Sequence, residues 1–313
     1  MVLLQQMIIF FLIILLGVYA SVRKLWNDEG VNKVSNLIAN LTAPCMILSA
    51  GINRDFGVSP ATLGKIFLFA CLAHAVLIVS GAIMSHLHGI RPADRPVYKA
   101  MTVLSNIGFI GLPIAQAAYG DQAVLYLSLF LFPNNFLVYT YVMYQVSSEE
   151  RRAEVRTHIT NPRNLARTLI NAGNIACVLA IFFVVSQIHV PYVLERTVSS
   201  VGGLTGTLSM MVVGHSISRM DIASLVRDKV LAAYAILRML VIPAAIMLVV
   251  MRLPISEELK HASLIFFTMP VGVMNSILAM EYGGNYLLAS RGVALTTFIS
   301  IATIPAVSLI VGM

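Results

Sequence analysis

Ser105-Asn106-Ile107-Gly108-Phe109-Ile110-Gly111-Leu112-Pro113 and Thr268-Met269-Pro270-Val271-Gly272-Val273-Met274-Asn275-Ser276 each interrupt a long apolar run with glycine, proline and asparagine. Proline removes a backbone N–H and clashes with the carbonyl one turn back. Glycine lets the chain leave the helix cheaply. Both stretches therefore predict broken helices. Backbone that leaves a helix at membrane depth is tolerated only inside protein or beside a water-filled cavity. Freed N–H groups at half-helix starts attract an anion, and freed carbonyls attract a cation. Asn106 and Asn275 add amide donors and acceptors beside the breaks. The two breaks are not alike in detail: the second has its proline early, and Ser276 stands where a second proline would match Pro113.

That the surrounding runs lie in lipid follows from composition. The 313 residues are 58% hydrophobic and 11% charged, and the mean hydropathy is +0.85. A soluble domain carries about 25% charged residues. So little charge over so much apolar surface calls for lipid as the solvent. Spans of about 20 residues are expected near 4–21, 34–52, 62–85, 97–119, 122–145, 166–188, 192–216, 229–250, 261–281 and 287–311. This leaves one membrane unit with no separate soluble domain. The first 22 residues hold no Lys or Arg, so the first run reads as a span and not as a signal peptide.

The breaks between runs set an orientation. Arg23, Lys24, Lys33, Arg91, Arg95, Lys99, the Arg151–Arg163 group, Arg219, Arg227 and Lys229 follow odd-numbered spans, and few basic residues follow even-numbered ones. Basic loops face the cytoplasm. Both termini are expected outside the bacterial inner membrane and the 146–165 linker inside. The net charge of +7 belongs to this bias and not to nucleic-acid binding. Cys45, Cys71 and Cys177 lie in apolar runs as small fillers.

Sliding the chain by 163 residues brings Leu41-Thr42 onto Leu204-Thr205, Gly51 onto Gly214 and Tyr119-Gly120 onto Tyr282-Gly283. The expected organisation is a five-helix repeat at 1–145, the linker at 146–165 and a second repeat at 166–313. Five is odd, so the second repeat is inverted. Inverted repeats with broken helices are a usual build of secondary transporters. The fold class is all-α membrane protein, with the two broken helices carrying the site.

Other intramembrane polar residues are secondary candidates. Arg238, in the eighth run, falls one place from His74 of the third at the same offset. Charges inside a span face a cavity or a partner; Arg238 is a candidate counter-charge, with snorkelling as its alternative, and His74 a candidate proton site, with a structural role as its alternative. His215 reads as interfacial, Tyr119 and Tyr282 as interface anchors or gates, and Pro44 as a kink in the second span. There is no Walker loop, GxSxG, HExxH or intramembrane carboxylate pair, so neither an enzyme nor a cofactor or metal is expected.

The Asn106–Pro113 stretch, Tyr119-Gly120-Asp121, Pro270–Asn275 and Tyr282-Gly283 together resemble the auxin efflux carrier family, in its short bacterial form. The resemblance implies a fold similar to bile-acid/sodium symporters, with spans 1, 2, 6 and 7 as scaffold and spans 3–5 and 8–10 as transport domain, and with spans 4 and 9 crossing at their breaks. It implies carboxylate substrates such as malate or malonate, and a homodimer. Carried onto this chain, Asn106, Pro113, Pro270 and Asn275 match the crossover motifs and line the substrate site, with Gly108, Gly111 and Gly272 of the same broken stretches as further candidates. The leading reading is a permease for a small organic anion working by alternating access. A proton- or sodium-coupled cation or solute transporter of the same architecture, and a membrane receptor without transport, stay open beside it.

Overall fold

The computed structural model describes residues 2–219, 225 and 227–313. Among these the chain is helical, and its one β-bridge joins Ser105 to Val271. Six helical stretches are long and apolar enough to cross a membrane: Gln5–Val22, Pro60–Met84, Ile107–Val146, Tyr192–Ser218, Lys229–Val250 and Tyr286–Val311. A seventh is a bent pair, Pro162–Leu169 and Ala172–Ser186, with 64° between its arms. The runs expected at 34–52, 97–119 and 261–281 are built from shorter helices. These are Asp28–Leu37 with Ala43–Ser49, Arg95–Val103 followed by a break, and Glu257–Thr268 followed by Met274–Glu281. The 146–165 linker folds into two short helices, Arg152–Thr160 and Pro162–Leu169.

Proline shapes three of these elements in the same way. Wide π-turns at Ile38–Thr42, Ile107–Gly111 and Leu237–Val241 end two residues before Pro44, Pro113 and Pro243. In each, the N–H of the residue before the proline reaches back five residues: Ala43 to Ile38, Leu112 to Ile107, Ile242 to Leu237. A proline ring crowds the carbonyl four residues earlier, and a turn widened to five relieves that crowding. Pro44 and Pro113 thus produce local bulges, and the chain break near Asn106 has another origin. Gly120 (φ 79°) turns the Ile107–Val146 run sharply between its two arms. An L-residue with a Cβ is strained at that φ.

Outward apolar side chains fall in stripes. On Pro60–Met84 they are Leu68, Leu72, Val79 and Ile83, and on the first helix Leu12 and Leu16. Such surface suits lipid contact. Inside, two cores meet at the broken stretches. Ile107 and Met269 belong to one and Leu104 and Val271 to the other.

Candidate functional site

Two helices stop at the centre of the molecule. Arg95–Val103 ends where Leu104 turns extended (φ −88°, ψ 107°). Glu257–Thr268 ends where Met269 does the same (φ −64°, ψ 140°). Met269 precedes Pro270, and a residue before proline is pushed out of the helical region. No proline acts at Leu104. There the break is held by the other stretch: the Asn106 N–H donates to the Pro270 carbonyl at 2.8 Å, and the Gly272 N–H donates to the Leu104 carbonyl at 2.8 Å. The two extended pieces cross as one antiparallel bridge, which satisfies backbone groups that lipid could not.

Gly272 is what allows the crossing. A Cβ there would lie 3.0 Å from Leu104 Cγ and 3.4 Å from the carbonyl oxygens of Leu104 and Ser105. Gly108 is different: a Cβ on it would meet nothing within 4 Å, so the first turn of the resumed helix opens onto space. Gly111 packs against the Met269 side chain, 3.4 Å from where its Cβ would be. Pro113 faces the Tyr192–Ser218 helix at Gly206, whose Cβ would lie 3.5 Å from the proline ring. Asn106, Pro270 and Gly272 thus make the crossing, Gly111 packs beside it, and Gly108 and Pro113 lie on the resumed helix.

The two asparagines differ in what they offer. Asn106 begins the resumed helix, is 8% exposed and makes no capping bond with its side chain. Asn275 is fully buried; its amide N–H donates to the Gly272 carbonyl at 3.0 Å, and its amide oxygen has no partner. It braces its own break and leaves an acceptor free. Six other helix starts are closed by the side chains of Asn27, Ser59, Asn171, Asp228, Ser256 and Asn285, while those of Arg95–Val103, Arg152–Thr160 and Tyr192–Ser218 are not. The starts behind Asn106 and Val273 carry no such cap. At the second of them the Asn275 and Ser276 N–H groups turn back onto the Gly272 and Val273 carbonyls, at 3.1 and 3.0 Å.

Arg238 lies at the same place, with no exposed surface. Its Nε donates to the Thr102 carbonyl at 3.0 Å, Nη1 to the Phe267 carbonyl at 3.1 Å and Nη2 to the Ser105 hydroxyl at 2.8 Å. His74 sits one layer away. Its Nδ1 pairs with the Ala70 carbonyl at 2.8 Å, Nε2 has no partner, and its ring lies 4.6 Å from that of Phe266. His215, in the last turn of Tyr192–Ser218, is buried in the protein, and its Nε2 meets the exposed Asp28 carboxylate at 2.9 Å. Tyr119 stacks on His261 with ring centroids 4.0 Å apart.

Two hydroxyl residues absent from the sequence reading belong to the crossing. Thr296 accepts the Val271 N–H at 3.1 Å and donates to the Gly292 carbonyl at 2.8 Å. Thr102 donates to the Tyr98 carbonyl at 2.8 Å and lies 3.1 Å from the Tyr234 hydroxyl. A signal for the first existed in the sequence: Thr296, Thr297 and Ser300 put three hydroxyls within two turns of an apolar run. Thr297 and Ser300 also line a water-sized apolar cavity between the first helix, Tyr192–Ser218 and Ile110.

Comparison with known proteins identifies a transporter family. A family described as membrane transport protein matches residues 2–308. An uncharacterized transporter of Methanocaldococcus jannaschii is 19% identical over 310 residues, covering 97% of both chains. With nearly its whole length inside the family match, the chain belongs to the membrane transport protein family, that of the auxin efflux carriers.

Proposed function

We propose that this multi-pass membrane transporter is a permease for a small organic anion, a carboxylate such as malate or malonate, working by alternating access in the bacterial inner membrane. The carrying observation is the crossing itself: two uncapped half-helix starts beside open space at Gly108, with a buried guanidinium close by. Half-helix starts favour negative charge. Arg238 pairs with no carboxylate among the described residues, so its positive charge adds to the same field. The Asn106 amide is the group best placed to orient a carboxylate.

Ten spans in two inverted repeats are part of this reading. The packing of the helices supports them. Gly17 meets the Met211 backbone and Gly214 the Ile14 backbone, while Gly51 meets the Ala180 backbone. Shifted by 163, Gly17 becomes Ala180 and Gly51 becomes Gly214. The contact between the first helix and Tyr192–Ser218 is thus repeated, with the halves exchanged, between Ala172–Ser186 and the Gly51 turn. Exchange of the two halves' conformations is what turns an outward-open site inward. Both termini lie outside in this reading, and the linker lies in the cytoplasm.

Uptake of radiolabelled malate and malonate into proteoliposomes tests the proposal. Saturable uptake that Asn106→Ala reduces about a hundredfold, as misplacement of a bound group does, is the expected result. Unchanged uptake in Asn106→Ala, with protein of normal melting temperature, would reject the site.

A further inference from the structure

Arg95–Val103 and Glu257–Thr268 both end at the crossing, so each aims its carbonyl end, the negative pole of its dipole, at the same point. In transporters with broken helices such ends, with unwound carbonyls, hold the coupling sodium ion. Here the chain supplies the cation. Thr102 and Phe267 are the next-to-last residues of the two helices, and Arg238 takes the carbonyl of each, at 3.0 and 3.1 Å, with its remaining contact on Ser105 of the break. The guanidinium fork straddles both poles, and no water reaches it. A buried charge needs partners that offset its lost hydration; the two carbonyl ends and a hydroxyl are those partners. The arginine itself stands on the π-turn Leu237–Val241. Turns of that kind recur at functional sites.

We infer that Arg238 is a built-in cation standing where an exchangeable sodium ion would bind, so that the crossing works without sodium and the guanidinium moves with the two half-helix ends. Arg238 is a positioning residue in this account, acting through the carbonyl ends it holds. The uptake measurements below rest on the transport reading; the melting measurements do not.

The first experiment uses the wild type. Its melting temperature, and its uptake of malate or malonate, should be the same in sodium chloride and in choline chloride of equal ionic strength. Arg238→Ala vacates the carbonyl ends. Its uptake should fall about a hundredfold, and millimolar guanidinium should restore both uptake and melting temperature, while N-methylglucamine restores neither. Arg238→Met, which fills the volume without charge, should stay impaired and gain nothing from guanidinium. A structural arginine without this role gives no selective rescue. A sodium-dependent melting shift or uptake in the wild type would overturn the inference. So would full uptake in Arg238→Met, or folded Arg238→Ala that guanidinium leaves unchanged. If the alanine variant does not fold, the wild-type melting comparison and Arg238→Met decide. Absent uptake with sodium-indifferent melting counts against the carboxylate reading alone; a sodium-shifted melting curve counts against the cation role alone.

Discussion

Thr296→Val isolates what a single hydroxyl contributes to the crossing. Valine has nearly the shape of threonine, so the core around it keeps its packing. What disappears is the acceptor for the Val271 N–H, 3.1 Å away. Val271 and Thr296 are both fully buried, so water cannot take the lost place. A buried N–H left without a partner costs about 1–3 kcal/mol. At about 2–4 °C per kcal/mol, the melting temperature should fall by about 2–12 °C. The Gly292 carbonyl, which also loses the Thr296 hydroxyl, keeps its ordinary helix bond and adds little. Thr303→Val is the matched control, because the Thr303 hydroxyl lies on the same Tyr286–Val311 helix and has no partner. It should melt at or above the wild-type temperature. The assay is thermal unfolding of both purified variants in one detergent. Equal melting of Thr296→Val and Thr303→Val would refute the account of how the second break is held.

Gly272→Ala should cost about 1–3 kcal/mol, the usual penalty for overpacking, because its Cβ meets Leu104 at 3.0 Å; Gly108→Ala, facing open space, should melt like the wild type, and equal losses in both would contradict the crossing geometry. The His215 side chain and the Arg219 guanidinium hold the Asp28 carboxyl below its ordinary value of 3.8. A lowered folded value means that this stabilisation is complete above 3.8 and drains as pH falls through the folded value. Melting against pH should therefore fall less steeply in Asp28→Asn than in the wild type on the acid side, and parallel curves would remove the link. Thr157, exposed on the linker helix Arg152–Thr160, gives the topology test. A Thr157→Cys variant should react with a membrane-impermeant maleimide in inside-out vesicles and not in intact cells, and labelling in intact cells would invert the orientation.

Much of the site was readable because it is written in residues with strong local rules. Pro270 ends its helix through the residue before it, and Gly272 reads as a place where backbones approach. The first break was readable only as a stretch. Gly108, Gly111 and Pro113 drew attention to 107–113, yet that segment is a π-turn, and the chain leaves the helix earlier, at Leu104–Asn106. Nothing local requires a break at Leu104. It is imposed by the Pro270 carbonyl and the Gly272 N–H, more than 160 residues along the chain. Asn275 was visible as a polar residue in an apolar run, but its amide N–H is committed to the Gly272 carbonyl, a partner that only the folded break creates. Thr102 was silent, because a hydroxyl inside a helix reads the same whether it bonds its own turn or a neighbour's backbone, and Thr296 was marked only by its neighbours Thr297 and Ser300.

Arg238 shows how the two levels join. Its place beside His74 at the 163-residue offset was visible in the chain, and the cost of burying a charge made it a candidate. Pro243, five residues on, sets the π-turn on which Arg238 stands. That turn faces the point where two helices end and expose their carbonyls. The same broken backbone that leaves N–H groups free for an anion leaves carbonyls free for a cation, and both must be satisfied for the break to survive in lipid. The guanidinium satisfies one set permanently. In the proposed function the start behind Asn106 is left to a ligand that comes and goes, and this division suits a carrier that must release what it binds.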